Sequence, residues 1–235
     1  MCFAQHFNVM ALCGGRPAML TDITGTVNRL GGPAPTAAPT IGTSGTGITS
    51  TVNQYAFYTF YNSTTGWESS PSPIATIAPF TNKQLDWSAL ETTVAKEGVD
   101  KKRLYRTQLA TGEEPYYRVT EITLATTTYT DTVADASLGA QGPDVGDHEP
   151  PPTLSFGVWA YADRFFISDG NDSVYYSLPY EGNAANLEYY SEDRRLRFPF
   201  KVVGAAYSAS FEKLLFFMPA NKGIHYLSGN SESTF

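Results

Sequence analysis

The residue types that carry most enzyme and metal chemistry are sparse in this 235-residue chain. Its three histidines, His6, His148 and His225, lie in separate segments. None stands at a metal-ligand spacing from a second histidine or a cysteine. Asp169-Gly-Asn-Asp172 has the acidic start of a calcium loop. It lacks the distal glutamate and the full alternating ligand set, so it reads as a hairpin turn. Glu113 and Glu114 offer two carboxylates for glycosidic acid–base work. Neighbours on an extended chain point to opposite faces, however, and cannot easily flank one bond. No Gly-x-Ser-x-Gly elbow and no Cys/His pairing supplies an activated nucleophile. Gly42, Gly45 and Gly47 precede a strand pattern, with no Lys-Ser or Lys-Thr after them, so they are no phosphate loop. The sequence therefore names no catalytic, cofactor-binding or metal-ligating residue, and a non-enzymatic protein without cofactors is expected.

Three weaker signals concern binding. Trp67, at a hairpin shoulder, is the aromatic best placed to stack on a sugar, against the simpler role of capping the core. Arg194-Arg195-Leu-Arg197 is the best basic patch, against a solvated strand end. Asn62-Ser-Thr64 and Asn171-Asp-Ser173 match glycosylation acceptors, which arise by chance in a Ser/Thr-rich chain.

Composition bounds the class. The chain is long enough for a proper core. Charged residues are 17% and aromatics 14%, with 15 Tyr and 14 Phe. Tyr, Phe, Thr and Val favour pleated surfaces, so the composition points to an all-β fold. A net charge of −7 argues against nucleic-acid binding by simple phosphate neutralisation. Cys2 and Cys13 could frame one disulfide at most, fewer than a disulfide-built secreted scaffold uses, so a reducing or redox-indifferent setting is expected. No apolar run reaches the length of a membrane span, and the N-terminus lacks the basic start of a signal peptide.

The elements that must carry these residues follow from patterning. Residues 1–50 read as an N-terminal arm with a Pro/Gly linker over 31–50. In the arm, Phe7, Val9 and Ala11 alternate with His6, Asn8 and Met10 as a weak strand, expected to add to another sheet. Residues 51–140 carry short strands between turn signals, as in a small immunoglobulin- or fibronectin-like β-sandwich. Residues 141–153 form a second linker, ending in Pro150-Pro-Pro152. Over 154–235, two aromatic hairpins align without a gap. Phe165-Phe166-Ile167 lies over Leu215-Phe216-Phe217, and Val174-Tyr175-Tyr176 over Ile224-His225-Tyr226. A hairpin repeated at that period predicts β-propeller-like blades, incomplete in this chain.

One ordered set of motifs carries a resemblance. Tyr55-x-x-Tyr-Thr-Phe-Tyr61 is followed by Gly66-x-Glu-Ser-x-Pro-Ser-Pro73, Arg103-Leu-Tyr-Arg-Thr107, Tyr116-Tyr-Arg-Val119 and Thr127-Thr-Tyr-Thr-Asp-Thr132. After Pro150-Pro-Pro152 come Arg164-Phe-Phe-Ile167 and Val174-Tyr-Tyr-Ser177. This order resembles the nozzle or hub (tail tubular, stabilisation) proteins of short-tailed bacteriophages, which pair a sandwich module with a propeller. The resemblance covers roughly residues 20–180. It implies a structural virion protein, assembled in the host cytoplasm and located in the tail. Copies would form a homo-oligomeric ring against adaptor or portal-side proteins and tail fibres or spikes. The ring would extend the DNA channel, help retain the genome and pass it at ejection without specific DNA binding. The alternative is a carbohydrate- or receptor-binding adhesin module on the β-sandwich. A third reading is a fragment of a propeller glycosidase whose acids lie outside this chain.

Overall fold

The computed structural model describes residues 2–6, 8–15, 19–21, 26–220 and 222–229. The described residues are all-β apart from two short 3-10 turns, and divide into two compact units, one of residues 1–32 with 148–235 and one of residues 33–147.

The N-terminal residues make their own antiparallel sheet, in the order β1 (Cys2–His6), β2 (Val9–Cys13), β3 (Met19–Thr21), β4 (Val27–Arg29). Of the alternation expected there, Val9 and Ala11 are buried, and with Cys13 they form the buried face of β2. Phe7 and Pro17 lie outside the described residues. Instead of lending one strand elsewhere, the arm buries this face in an apolar cluster with Leu30, Val158, Phe165 and Ile167.

The second unit holds β5 (Thr40–Ser50), β6 (Gln54–Tyr61), β7 (Ala75–Ile77), β8 (Phe80–Ser88), β9 (Lys101–Arg106), β10 (Tyr117–Thr123) and β11 (Tyr129–Asp131). They form two antiparallel sheets, ordered β10-β9-β6-β7 and β11-β8-β5. Thr40–Ser50, expected within a loose linker, is an eleven-residue strand paired to β8. Its Thr and Ile content suits a pleated surface, and its glycines leave it bulged. Tyr58, Phe60, Leu104, Leu85 and Trp87 are all buried in this unit. Burying side chains of this size contributes roughly 1.5–3 kcal/mol each.

The chain returns to the first unit with β12 (Gly157–Tyr161), β13 (Arg164–Ser168), β14 (Ser173–Tyr176) and β15 (Arg195–Arg197), an open sheet in that order. A three-stranded sheet follows: β16 (Gly204–Ser208), β17 (Lys213–Phe217) and β18 (Ile224–Ser228). The middle sheet is apolar on both faces. Phe165 and Ile167 pack towards Val9 and Ala11, while Phe166, Val174 and Tyr176 pack towards Leu214, Phe216 and Leu227.

The propeller expectation is corrected here. The sheets are separate and open, and none closes into a barrel or a ring of blades among the described residues. The gapless hairpin match also fails in register. Phe166 pairs with Tyr176, ten positions on, whereas Phe216 pairs with His225, nine positions on. A one-residue slip reverses which face every following side chain takes. Val174 and Tyr176 are therefore 0% and 6% exposed, while the aligned Ile224 and Tyr226 are 59% and 60% exposed.

Candidate functional site

The 33–147 unit carries a cleft of about 510 Å³, lined by Phe57, Glu114, Tyr116, Gln141, Asp144 and Val145 among others. It is built by an addition to the start of β10. Residues 139–142 run antiparallel to it: the Arg118 amide donates to Ala140 O at 2.9 Å, the Gly139 amide to Arg118 O at 2.7 Å and the Gly142 amide to Tyr116 O at 3.0 Å. Gly142 makes this possible, since a Cβ there would meet Tyr105 Cδ1 at 2.8 Å and Phe57 Cζ at 3.1 Å.

An aromatic ladder supports the floor. Tyr105 stacks on Phe57 with ring centres 5.1 Å apart, and Phe57 meets Tyr116 at 4.8 Å. Tyr105 and Phe57 are buried, while Tyr116 is half-buried at the cleft. Partial burial, with the nearby Glu114 charge, raises the Tyr116 phenol above its ordinary pKa, so it stays neutral and able to donate. The lining thus offers one aromatic face, two carboxylates and one amide, and includes no basic side chain.

The run from Gly66 to Pro73 is a clamp on β6. Pro71 and Pro73 cannot donate to a ladder. Ser69 and Ser72 take over: their amides donate to Phe60 O and Tyr58 O, each at 2.9 Å. In return the Phe60 amide donates to Ser69 Oγ at 3.0 Å and the Tyr58 amide to Ser72 Oγ at 3.2 Å.

The first unit carries a larger, more open cavity of about 720 Å³, lined by His6, Tyr161, Asp163, Tyr207 and Glu212 among others. His6 Nε2 lies 3.4 Å from Asp163 Oδ1. Burial lowers the His6 pKa and Asp163 only partly offsets it, so the imidazole is neutral at pH 7. The Tyr161 hydroxyl is committed to the carbonyls of Gly229 at 2.8 Å and Glu212 at 3.0 Å.

The sequence candidates scatter. Trp67 is 0% exposed, so it caps the core and offers no sugar platform. His148 stacks on Tyr189 at 3.8 Å, and His225 meets Phe198 edge-on at 5.7 Å, both far in sequence from His6. Among the described residues no group of three His, Cys, Asp or Glu could hold a metal ion. Asp169 Oδ1 accepts from the Asn171 and Ser173 amides at 2.8 and 3.3 Å, as a hairpin turn does. Arg194 is buried, and Arg195 is engaged by Glu192 at 2.6 Å and Tyr175 at 3.0 Å, which breaks up the basic patch. Asn62 is buried, with its Oδ1 accepting from the Thr64 and Thr65 amides. Of the glutamate pair, only Glu114 reaches the cleft. Tyr116 enters the sequence reading only within the motif Tyr116-Tyr-Arg-Val119 and Gln141 only as the start of the second linker, and neither is marked there as a site residue.

No protein-family model matches the chain, and no curated protein matches it. Neither comparison supports the bacteriophage tail resemblance drawn from motif order, and the part of it that the structure overturns is the propeller, since no sheet closes into a ring of blades among the described residues.

Proposed function

We propose that this chain is a non-catalytic binding module whose 33–147 unit recognises a neutral, hydroxyl-rich ligand, a carbohydrate, in the Tyr116 cleft. The observation that carries this reading is the lining itself: a half-buried tyrosine face flanked by Glu114, Asp144 and Gln141, with no cationic side chain. Carboxylates and an amide accept and donate to hydroxyls, an aromatic face packs on the apolar side of a sugar ring, and anionic ligands are repelled. Binding of the full chain to a panel of immobilised neutral glycans tests it. Tyr116→Ala should weaken binding about tenfold, as the loss of an aromatic contact near 1.4 kcal/mol implies. No binding to any glycan, or binding indifferent to Tyr116→Ala and Gln141→Ala, would overturn it.

A second reading keeps a structural role, in which copies of the chain associate as subunits of a larger assembly. One observation favours it: the outer face of β16–β18 sets Leu215 and Phe217 beside the exposed Ile224 and Tyr226. Apolar faces of this kind mark interaction surfaces. A concentration-dependent oligomer that Ile224→Lys dissolves would favour this reading over the first.

A further inference from the structure

Cys2 and Cys13 are directly opposite one another in the β1–β2 pairing. Residues so placed in an antiparallel pair have Cα atoms about 4.5–5.5 Å apart, inside the roughly 4.4–6.8 Å that a disulfide spans. Both side chains lie on the same inward face and share one apolar cluster. Both thiols are free. They differ in access: Cys13 is 5% exposed, while Cys2 is only half-buried. The Cys2 thiol donates to Phe156 O at 3.0 Å, with Cys13 O at 3.7 Å.

We infer that Cys2 and Cys13 are a reversible cross-link site, closed by exchange with a small-molecule disulfide. In the first step the Cys2 thiolate attacks one sulfur of that disulfide, forming a mixed disulfide on Cys2 and expelling one thiol. In the second, Cys13 attacks the Cys2 sulfur, the intramolecular bond forms, and the second thiol leaves. Two protein thiols are oxidised and one external disulfide is reduced to two thiols, so atoms and electrons balance. The order follows from access, because Cys2 is the thiol an external reagent can reach. Burial, reinforced by the neighbouring Cys2, pushes the Cys13 thiol up to about 12, which makes it a poor first nucleophile and the slower, resolving partner. Closure also removes the Cys2 donor from Phe156 O, exchanging a tether between β1 and the segment before β12 for a bond within the β1–β2 hairpin.

The test uses the full chain incubated with oxidised glutathione, blocked with iodoacetamide and mapped without reduction. The expected product is two hydrogens lighter than the reduced chain, carries a Cys2–Cys13 linked peptide and reverts with dithiothreitol. Cys13→Ser should stop at a glutathione adduct on Cys2. A wild-type chain that stays unreacted, halts at the Cys2 adduct or links only to other chains overturns the inference.

Discussion

Arg103 Nη1 lies 2.6 Å from Glu68 Oε2. The other Glu68 oxygen accepts from the Thr59 hydroxyl and the Tyr105 hydroxyl, each at 2.6 Å. Arg103 also reaches Glu121 through Nε at 2.9 Å and lies over the Tyr61 ring at 3.3 Å. Burial opposes its charge, and the two carboxylates more than offset that, raising its pKa further. Glu68→Gln keeps the shape but removes the charge that balances a mostly buried guanidinium. It should cost about 2 kcal/mol, below the 3–5 expected for full burial because Glu121 remains. Urea unfolding of the whole chain, followed by Trp fluorescence, checks it; an unchanged midpoint would show the pair to be neutral.

Arg106 and Asp131 are the fully buried counterpart, Nε to Oδ2 2.9 Å with both side chains 0% exposed. The same guanidinium donates to Thr107 O and Val133 O and reaches Asp135 at 3.1 Å. Removing Asp131 leaves the buried guanidinium with the partly exposed Asp135 as its remaining carboxylate, so Asp131→Ala should cost about 3 kcal/mol, the low end of the range for a broken buried pair. Arg106→Met combined with Asp131→Leu should recover most of that loss, because well-packed apolar replacements of buried pairs are often neutral. A double-mutant cycle by chemical denaturation separates the pairwise part from simple cavity effects.

Lys102 is fully buried, with its ammonium donating to Glu91 O at 2.7 Å and Thr126 O at 2.6 Å. Burial outweighs the attraction of Glu91 and lowers its pKa from 10.5 to about 8. Between those values the unfolded chain holds a proton that the native chain has lost, so stability rises with pH across the window and this group's penalty is complete below it. Tyr58, held at about 12 against an ordinary 10.0 by burial, pulls the other way above pH 10. The Cys13 thiol, raised by burial from 9.0 to about 12, pulls the same way as Tyr58 from pH 9 upwards, so stability should climb from pH 8 to 9, and Lys102→Met should flatten that slope. A wild-type curve that is level or falling there would contradict a depressed lysine.

How much of this was legible follows from which forces are local. The dense Tyr and Phe of β6 and the Ser-Pro run predict strand and edge because propensity and the missing proline donor act residue by residue. The strand Thr40–Ser50 was hidden because its glycines and threonines look like a linker until β8 supplies a partner. The hairpin repeat misled because a gapless alignment cannot see a one-residue difference in pairing, and pairing decides whether Tyr226 faces inward like Tyr176 or outward. The cleft was least legible. Gln141 and Tyr116 are brought together by backbone pairing between segments that nothing in their local sequence links.

Gly142 gives the sharpest separation of scaffold from site. Its Cβ would fall 2.8 Å from Tyr105 Cδ1, 3.0 Å from Tyr105 Cε1 and 3.1 Å from Phe57 Cζ, and both rings are fixed in the core. Gly142→Ala must therefore push residues 139–142 off the ladder or displace the rings, with an overpacking cost of about 1–3 kcal/mol. Tyr116→Ala removes only a half-buried ring at the open end of the same ladder. The expected pattern is a lower denaturation midpoint together with weakened glycan binding for Gly142→Ala, against weakened binding with a smaller loss of stability for Tyr116→Ala. Equal binding by both variants and the wild type would mean that the cleft built by this segment is not where the ligand sits.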